Sequence, residues 1–465
     1  MQTRLKIPIF RWISSPGVRA IGVIGIGALT TGCATPFQDH RDRIDALADA
    51  GAYDKVVALL ESAKGRTFYA DRDRLLYYLD LGLARFAAGD DAGAIEALTT
   101  AEIIMDTRFE ENAGDAFAKL VLNDTLANYL GEPYEDIDTN VFKMLAQLEL
   151  GNIQGGATVE ARRLANKVDL LRQEYLEITQ KIVDDDRAGG RASLAGAPSV
   201  VATSEAGQFI ASPLGEFLTA VTFMVTGDYP NQAVAARRLL QAIDAQGDLI
   251  GPVNPEPFAA LETMRPGDVN ALAVAFAGPG PRKKALRIGP IPIDDTPIYF
   301  ELPILESPPS ETAQVLVEVE REDGSVTQAS LHLIEDMARV AAVNHERQLP
   351  QVYLRTLLRA ASKSVALTIA TQSVERSTDD ELAHLGVLIG GLVVLAATEK
   401  ADLRCSRLLP GQAYVGLLDL TPGAHWITYR FLDSRGGLLY ETAATEITIS
   451  DRPDEFQTTI EWFWR

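Results

Sequence analysis

The chain has 465 residues, 47% of them hydrophobic, and a formal net charge of −21. That apolar content excludes a disordered chain, and the acidity excludes binding to nucleic acid or anionic head groups through bulk electrostatics. The length suggests two or three domains, each large enough for its own core.

The first 32 residues read as an export signal. Arg4, Lys6, Arg11 and Arg19 are unaccompanied by any acidic residue, and the apolar run Ala20–Leu29 ends in Thr30-Thr31-Gly32 before Cys33. Charged, apolar and small-residue segments in that order mark a cleaved signal, and ten apolar residues fall short of the roughly twenty that cross a bilayer. The cysteine after small residues resembles the bacterial lipobox, whose thiol is diacylated and becomes the first mature residue. Thr30 stands where the usual leucine would be, with Leu29 one place further away. The resemblance makes Cys33 the expected lipidation site. Two acyl chains give stable anchoring where one is marginal. Ala34 follows, where an aspartate would hold an enterobacterial-type lipoprotein at the inner membrane; the expected location is the outer membrane, facing the periplasm. After Cys33 only Cys405 remains, so no intrachain disulfide joins two free thiols.

Residues 33–250 predict a helical domain rich in Ala and Leu. Leu81, Gly82, Ala84, Gly89, Ala94, Leu98 and Ala101 fall where a tetratricopeptide repeat (TPR) places its small and bulky residues. Small residues at Gly82, Ala94 and Ala101 let two antiparallel helices approach, and Gly89-Asp90 turns the chain between them. Arg85 departs from the pattern, standing where the repeat prefers an aromatic. Weaker copies centre on Gly51, Gly151 and Gly227, so the expectation is a TPR-like hairpin stack without a regular period. Leu164, Val168, Leu171, Tyr175, Ile178 and Ile182 step by 4, 3, 4, 3 and 4 along one long helix, an apolar seam expected to pack in the core. Asp184-Asp185-Asp186 lead toward a Gly-, Ala- and Ser-rich stretch expected as a loop over 186–207. They lack the alternating spacing of a calcium loop.

Pro252, Pro255 and Pro257 mark a linker over 251–265, after which the period changes. A β-rich domain is expected over 266–465, with strands at Leu272–Ala277, Ala285–Ile293 and Val315–Glu320 and a Gly278–Pro281 turn after the first. Helical insertions are expected over 331–397: Leu331–Val343, Pro350–Ala361 running into Val365–Ile369, and the apolar Leu385–Ala397. Near the end, Ile427, Tyr429 and Phe431 alternate with polar residues, and a second strand follows through Ile447 and Ile449. Phe456, Thr458, Ile460, Trp462 and Trp464 then share one face. The fold class predicted is α+β and multidomain: a TPR-like helical stack followed by an antiparallel β-sandwich-like region, its core closed by the last tryptophans.

Chemistry-bearing motifs give little. None of the five histidines lies four residues from another, no nucleophile elbow occurs, and Gly278–Lys284 lacks the ending of a phosphate loop. No catalytic residue, metal or cofactor is expected. Arg355, Arg359 and Lys363 form an i, i+4, i+8 stripe that could hold a partner's acidic face, although internal ion pairing is favoured in so acidic a chain.

Gly131-Glu132-Pro133-Tyr134-Glu135, Leu150–Asn152 through Val159–Arg163, Pro213 through Gly227-Asp228-Tyr229, the Gly278–Lys283 turn, Leu354-Arg355-Thr356 through Lys363, and Thr398–Arg404 occur in one order. Together they resemble an uncharacterised family of bacterial lipoproteins with TPR-like helices, found near genes for other small lipoproteins, including one resembling the curli secretion channel. Cys405-Ser406 departs from the serine–tryptophan pair expected there. The resemblance implies a surface or periplasmic assembly role with no established activity. The expected function is therefore a non-enzymatic, lipid-anchored scaffold that binds periplasmic or outer-membrane proteins. The alternative is an envelope enzyme or carbohydrate-binding protein with a cleft between the halves.

Overall fold

The computed structural model describes residues 36–112, 128–188, 210–250, 253–293, 296–349, 352, 400–452 and 455–465. The helices come first: α1 (Pro36–Asp49), α2 (Tyr53–Glu61), α3 (Arg74–Ala87), α4 (Asp91–Asn112), α5 (Pro133–Glu149), α6 (Thr158–Ala188), α7 (Pro213–Thr226) and α8 (Tyr229–Ile250). The strands follow: β1 (Ala271–Pro279), β2 (Arg282–Ile293), β3 (Thr296–Glu306), β4 (Gln314–Arg321), β5 (Val326–Glu335), β6 (Pro410–Leu418), β7 (Gly423–Leu432), β8 (Leu438–Glu441), β9 (Thr445–Ile449) and β10 (Gln457–Phe463).

Helix pairing follows the small residues. A Cβ placed on Gly82 of α3 would lie 2.6 Å from Leu98 Cγ of α4, so the two helices touch where glycine leaves room. Gly89 turns the chain between them at φ 80, a conformation open to glycine without strain. Gly227 closes α7 in the same way. Ser212 caps the other end of α7 by accepting the Gly215 N–H at 2.9 Å, with Pro213 in the first turn. In α6, Leu164, Leu171 and Tyr175 are buried and Val168 packs against them, so the described part of the seam is core. The three aspartates lie in the last turns of that helix.

The sheet differs from the sandwich expected. One mostly antiparallel sheet runs in the order β10-β1-β6-β5-β4-β7-β8, with β9 also paired to β7, and it curls over a core of its own. Strand β1 makes the curl useful, because both its faces are buried. Leu272, Val274 and Phe276 join the helices' core, while Ala271, Ala273, Ala275 and Ala277 line the inside of the curl with Val317, Ile427 and Phe431. β10 runs parallel to β1 at the edge. Its Trp462 packs outward among Phe86, Phe142 and Phe276, with ring centroids 4.7–6.0 Å away. The tryptophan face therefore meets the helices, not a second sheet. The opposite face closes the curl, where Phe463 stacks on Tyr440 at 5.2 Å.

Leu331–Val343 is also reassigned. Leu331 and Leu333 alternate along β5, which pairs with β6 through His332 and Leu333, and the helix begins at 337 and runs to 349. The proline-marked stretch before β1 is packed: Phe258 and Leu261 are buried, and Gln232 of α8 donates to the Leu261 carbonyl at 2.6 Å. The insertions expected over 350–397 lie outside the described residues, save Val352.

Candidate functional site

Cys33, Arg355, Arg359 and Lys363 all lie outside the described residues. What the structure brings together instead is a buried polar seam between the helices and the sheet. Its spine is the segment 400–409, which enters β6.

Arg404, Cys405, Ser406 and Arg407 of this segment each meet a helix or the loop beside one. Arg404 donates to Asp73 at 2.7 Å and to Asp402, with its guanidinium 5.2 Å over the Tyr129 ring. The Cys405 carbonyl accepts from Arg41 of α1 at 2.5 Å. Ser406 donates its backbone N–H to Glu135 of α5 at 2.6 Å and its hydroxyl to Asp80 of α3 at 2.8 Å. Arg407 reaches Asp45 of α1 at 2.8 Å, and Arg282 of β2 shares that carboxylate at 2.6 Å.

Beside it lies a second cluster. Glu132, at the start of α5, accepts from Lys283 of β2 and stands 3.2 Å from His345 Nδ1. His345 Nε2 lies 3.0 Å from the Pro303 carbonyl of β3. Glu135 accepts the Glu132 backbone N–H at 2.9 Å and the Tyr129 hydroxyl at 2.5 Å. Burial disfavours the charge of Glu132, but Lys283 and His345 outweigh it and hold the carboxyl down to about 2. Glu135 goes the other way: burial, only partly offset by Tyr129, raises it to about 7. Burial likewise raises Asp80, against Arg41, Ser406 and Tyr69.

A third group sits nearby. Glu335, at the end of β5, accepts from the Ser212 hydroxyl at 2.6 Å and the Leu214 N–H at 2.9 Å, so a carboxyl from the sheet caps α7. Burial still raises Glu335 to about 7. Asp138 of α5 is pushed well above its ordinary range by burial and then by Glu335 and Glu135. Asp138, Glu335, Ser212 and Asn344 line one cavity of about 10 Å³, room for about one water.

Within the helices, Lys143 is almost fully buried between Glu102 at 2.7 Å and Glu160 at 2.9 Å. Asn140 donates to both carboxylates at 2.7 Å, which knits α4, α5 and α6 together. Among the described residues, no group of three or more His, Cys, Asp or Glu side chains is placed to hold a metal ion.

None of these residues was singled out as a site from the sequence. A signal was present: Asp80 interrupts Leu79 and Leu81, and Lys143 interrupts Phe142 and Met144. A charge inside an apolar helical run is desolvated, and it needs a partner that the sequence does not identify. Comparison with protein-family models, curated proteins and solved structures gave no match in any of the three.

Proposed function

We propose that this chain is a lipid-anchored scaffold of the bacterial envelope, held through Cys33 at the outer membrane and presenting protein-binding surfaces to the periplasm. The observation that carries the reading is the seam. Asp45, Asp73, Asp80, Glu132 and Glu135 are each engaged by named donors from another element. Charges used in this way fix one element against another, and a fixed body can present its outer faces in constant geometry. The finer reading of the helices is a TPR-like stack, whose curvature would offer a concave binding face.

The alternative, an enzyme or carbohydrate-binding protein with a cleft between the halves, draws on one observation. Asp138 and Glu335 converge on a polar cavity with raised carboxyls, a pattern that also accompanies active sites. A volume of about 10 Å³ favours the scaffold, since it admits a water and not a sugar.

Substitution Cys33→Ser tests the anchor. The variant is expected to leave the membrane pellet for the soluble fraction, and a Cys33→Ser protein that stays pelleted refutes the lipoprotein reading. Crosslinking in intact cells should then recover a periplasmic or outer-membrane protein with the wild-type chain.

A further inference from the structure

The first turns of α1 meet the segment that joins α2 to α3. Ser62 caps a short helical turn there, Ala63–Arg66, by accepting the Gly65 N–H at 2.8 Å. A Cβ on Gly65 would lie 1.9 Å from the Leu59 carbonyl oxygen, so glycine lets this turn fold back on α2. The chain then stacks Phe68 on His40 of α1, ring centroids 4.4 Å apart, with Tyr69 edge-on to the same ring at 5.9 Å. Tyr77 and Tyr78 of α3 extend the row, and the Arg74 guanidinium stands 5.6 Å over Tyr78. Phe68, Tyr77 and Tyr78 are half-buried.

The charge at this end runs against the rest of the chain. Arg43, Lys64, Arg66, Arg72 and Arg74 are exposed here, beside three exposed acids, Asp39, Asp42 and Asp71. Five against three is a basic surface in a chain that has 43 basic and 64 acidic residues. Asp45 and Asp73 nearby do not offset it, because Arg407 and Arg404 hold them inside the seam. Arg43, Lys64, Arg66 and Arg74 form no ion pair among the described residues.

Covalent geometry sets what this surface faces. Cys33 lies three residues before Pro36, and each step spans at most about 3.5 Å, so Cys33 stays within roughly 11 Å of the start of α1. That bound holds for any conformation of the steps. A body of this size has a radius of gyration of roughly 22 Å. A tether half as long brings the α1 end to the head groups and keeps the remote surface away.

Screening then decides the sign of the interaction. Net charge taken whole would drive the chain off an anionic bilayer, but the field of an exposed charge is screened within about 8–10 Å at physiological salt. Only charges close to the head groups count, and there the balance is basic. Each Lys or Arg in that layer favours an anionic bilayer by about fivefold. Half-buried aromatic rings suit the same layer, where amphipathic rings collect.

We infer that the surface formed by the start of α1 and residues 64–74 seats on anionic phospholipid head groups beside the acyl anchor. The inference rests on the lipoprotein reading of Cys33 and adds a lipid class and an orientation to it. A second contact fixes which way the body faces, where a tether alone leaves it free to turn.

The test uses the acylated chain in phosphatidylethanolamine vesicles that also contain either phosphatidylglycerol or phosphatidylcholine, each with a head-group quencher. A dye on Thr67→Cys, exposed within the surface, reports contact. The same dye on Val326→Cys, exposed at the start of β5, reports the background. Cys405 is buried and does not compete for the dye. The ratio of quenched to unquenched Thr67 dye is expected to be about tenfold higher on phosphatidylglycerol than on phosphatidylcholine, and to converge at about 1 M salt. Lys64→Glu with Arg66→Glu should abolish that difference, and Arg72→Gln should reduce it about fivefold, with the helical circular dichroism unchanged in both. Equal quenching on the two lipids overturns the proposal, as does a Thr67 probe no more quenched than the Val326 probe. A Thr67 probe shielded in intact envelopes yet unquenched on vesicles also overturns it, since that marks a protein partner. If Cys33→Ser is released from membranes while the Thr67 probe stays unquenched on the acylated protein, the surface fails and the anchor stands. If Cys33→Ser stays bound to phosphatidylglycerol vesicles until Lys64→Glu with Arg66→Glu releases it, the anchor fails and the surface stands.

Discussion

At the residue scale the seam turns burial into pH dependence. Glu335 titrates near 4.5 when unfolded and at about 7 in the folded protein, so the native state binds the extra proton between those values. Stability falls with rising pH wherever the native state holds more protons than the unfolded one. The contribution of Glu335 is therefore complete below about pH 4.5 and is lost as pH rises through 7. Glu135, raised to about 7, acts in the same sense. Glu132, held at about 2, acts oppositely: its stabilisation is complete above pH 4.5 and is lost only as pH falls through 2. The thermal midpoint is expected to fall between pH 5 and pH 8. Glu335→Gln, which keeps an acceptor for Ser212 and Leu214 without a titrating proton, should flatten that fall. Parallel wild-type and variant curves in scanning calorimetry at several pH values would show that burial at Glu335 does not couple to folding. None of this was readable from the sequence, because a glutamate ending a strand looks solvated until the helix it caps is known.

At the element scale, legibility followed the strength of the local signal. Strands β1, β2 and β4 were readable from short apolar or alternating runs between turn residues, and α3 with α4 from the spacing of Gly82, Ala94 and Leu98. Strand β6 was not, because it opens on Pro410-Gly411 and holds Ala413 and Gly416 among residues buried on both faces, which erases alternation. Strand β5 was absorbed into a helix because its last apolar residues run straight into the next helical segment. Gly82 makes the helical reading quantitative. Alanine gains about 1 kcal/mol of helix propensity over glycine, yet a methyl group there would stand 2.6 Å from Leu98 Cγ and 3.2 Å from its backbone nitrogen. Overpacking of that kind costs about 1–3 kcal/mol, so Gly82→Ala is expected to destabilise by roughly 1 kcal/mol net, read from urea unfolding. A variant as stable as wild type would mean that α3 and α4 separate at little cost and that Gly82 does not set their spacing.

At the scale of the whole molecule, the boundary near residue 250 divides secondary structure but not the core. The sequence reads it as a change of period, since helical spacing gives way to alternation there. It says nothing of the packing across it, because Leu272, Val274 and Phe276 look like any strand face until the helices beneath them are known. Those side chains, with Trp462 and Trp464, belong to the same hydrophobic cluster as Phe86, Phe142 and Leu218. The seam adds ion pairs that cross the same surface, and a buried pair left without its partner costs about 3–5 kcal/mol. Separating helices from sheet would therefore expose apolar area and strand charges together, which opposes any intermediate with one half unfolded. Far-ultraviolet circular dichroism reports mainly the helices, whereas Trp462 and Trp464 sit where the two halves meet. The two signals are expected to give one midpoint and one slope in urea. Loss of tryptophan burial ahead of helix would show two bodies joined loosely and would refute the single shared core.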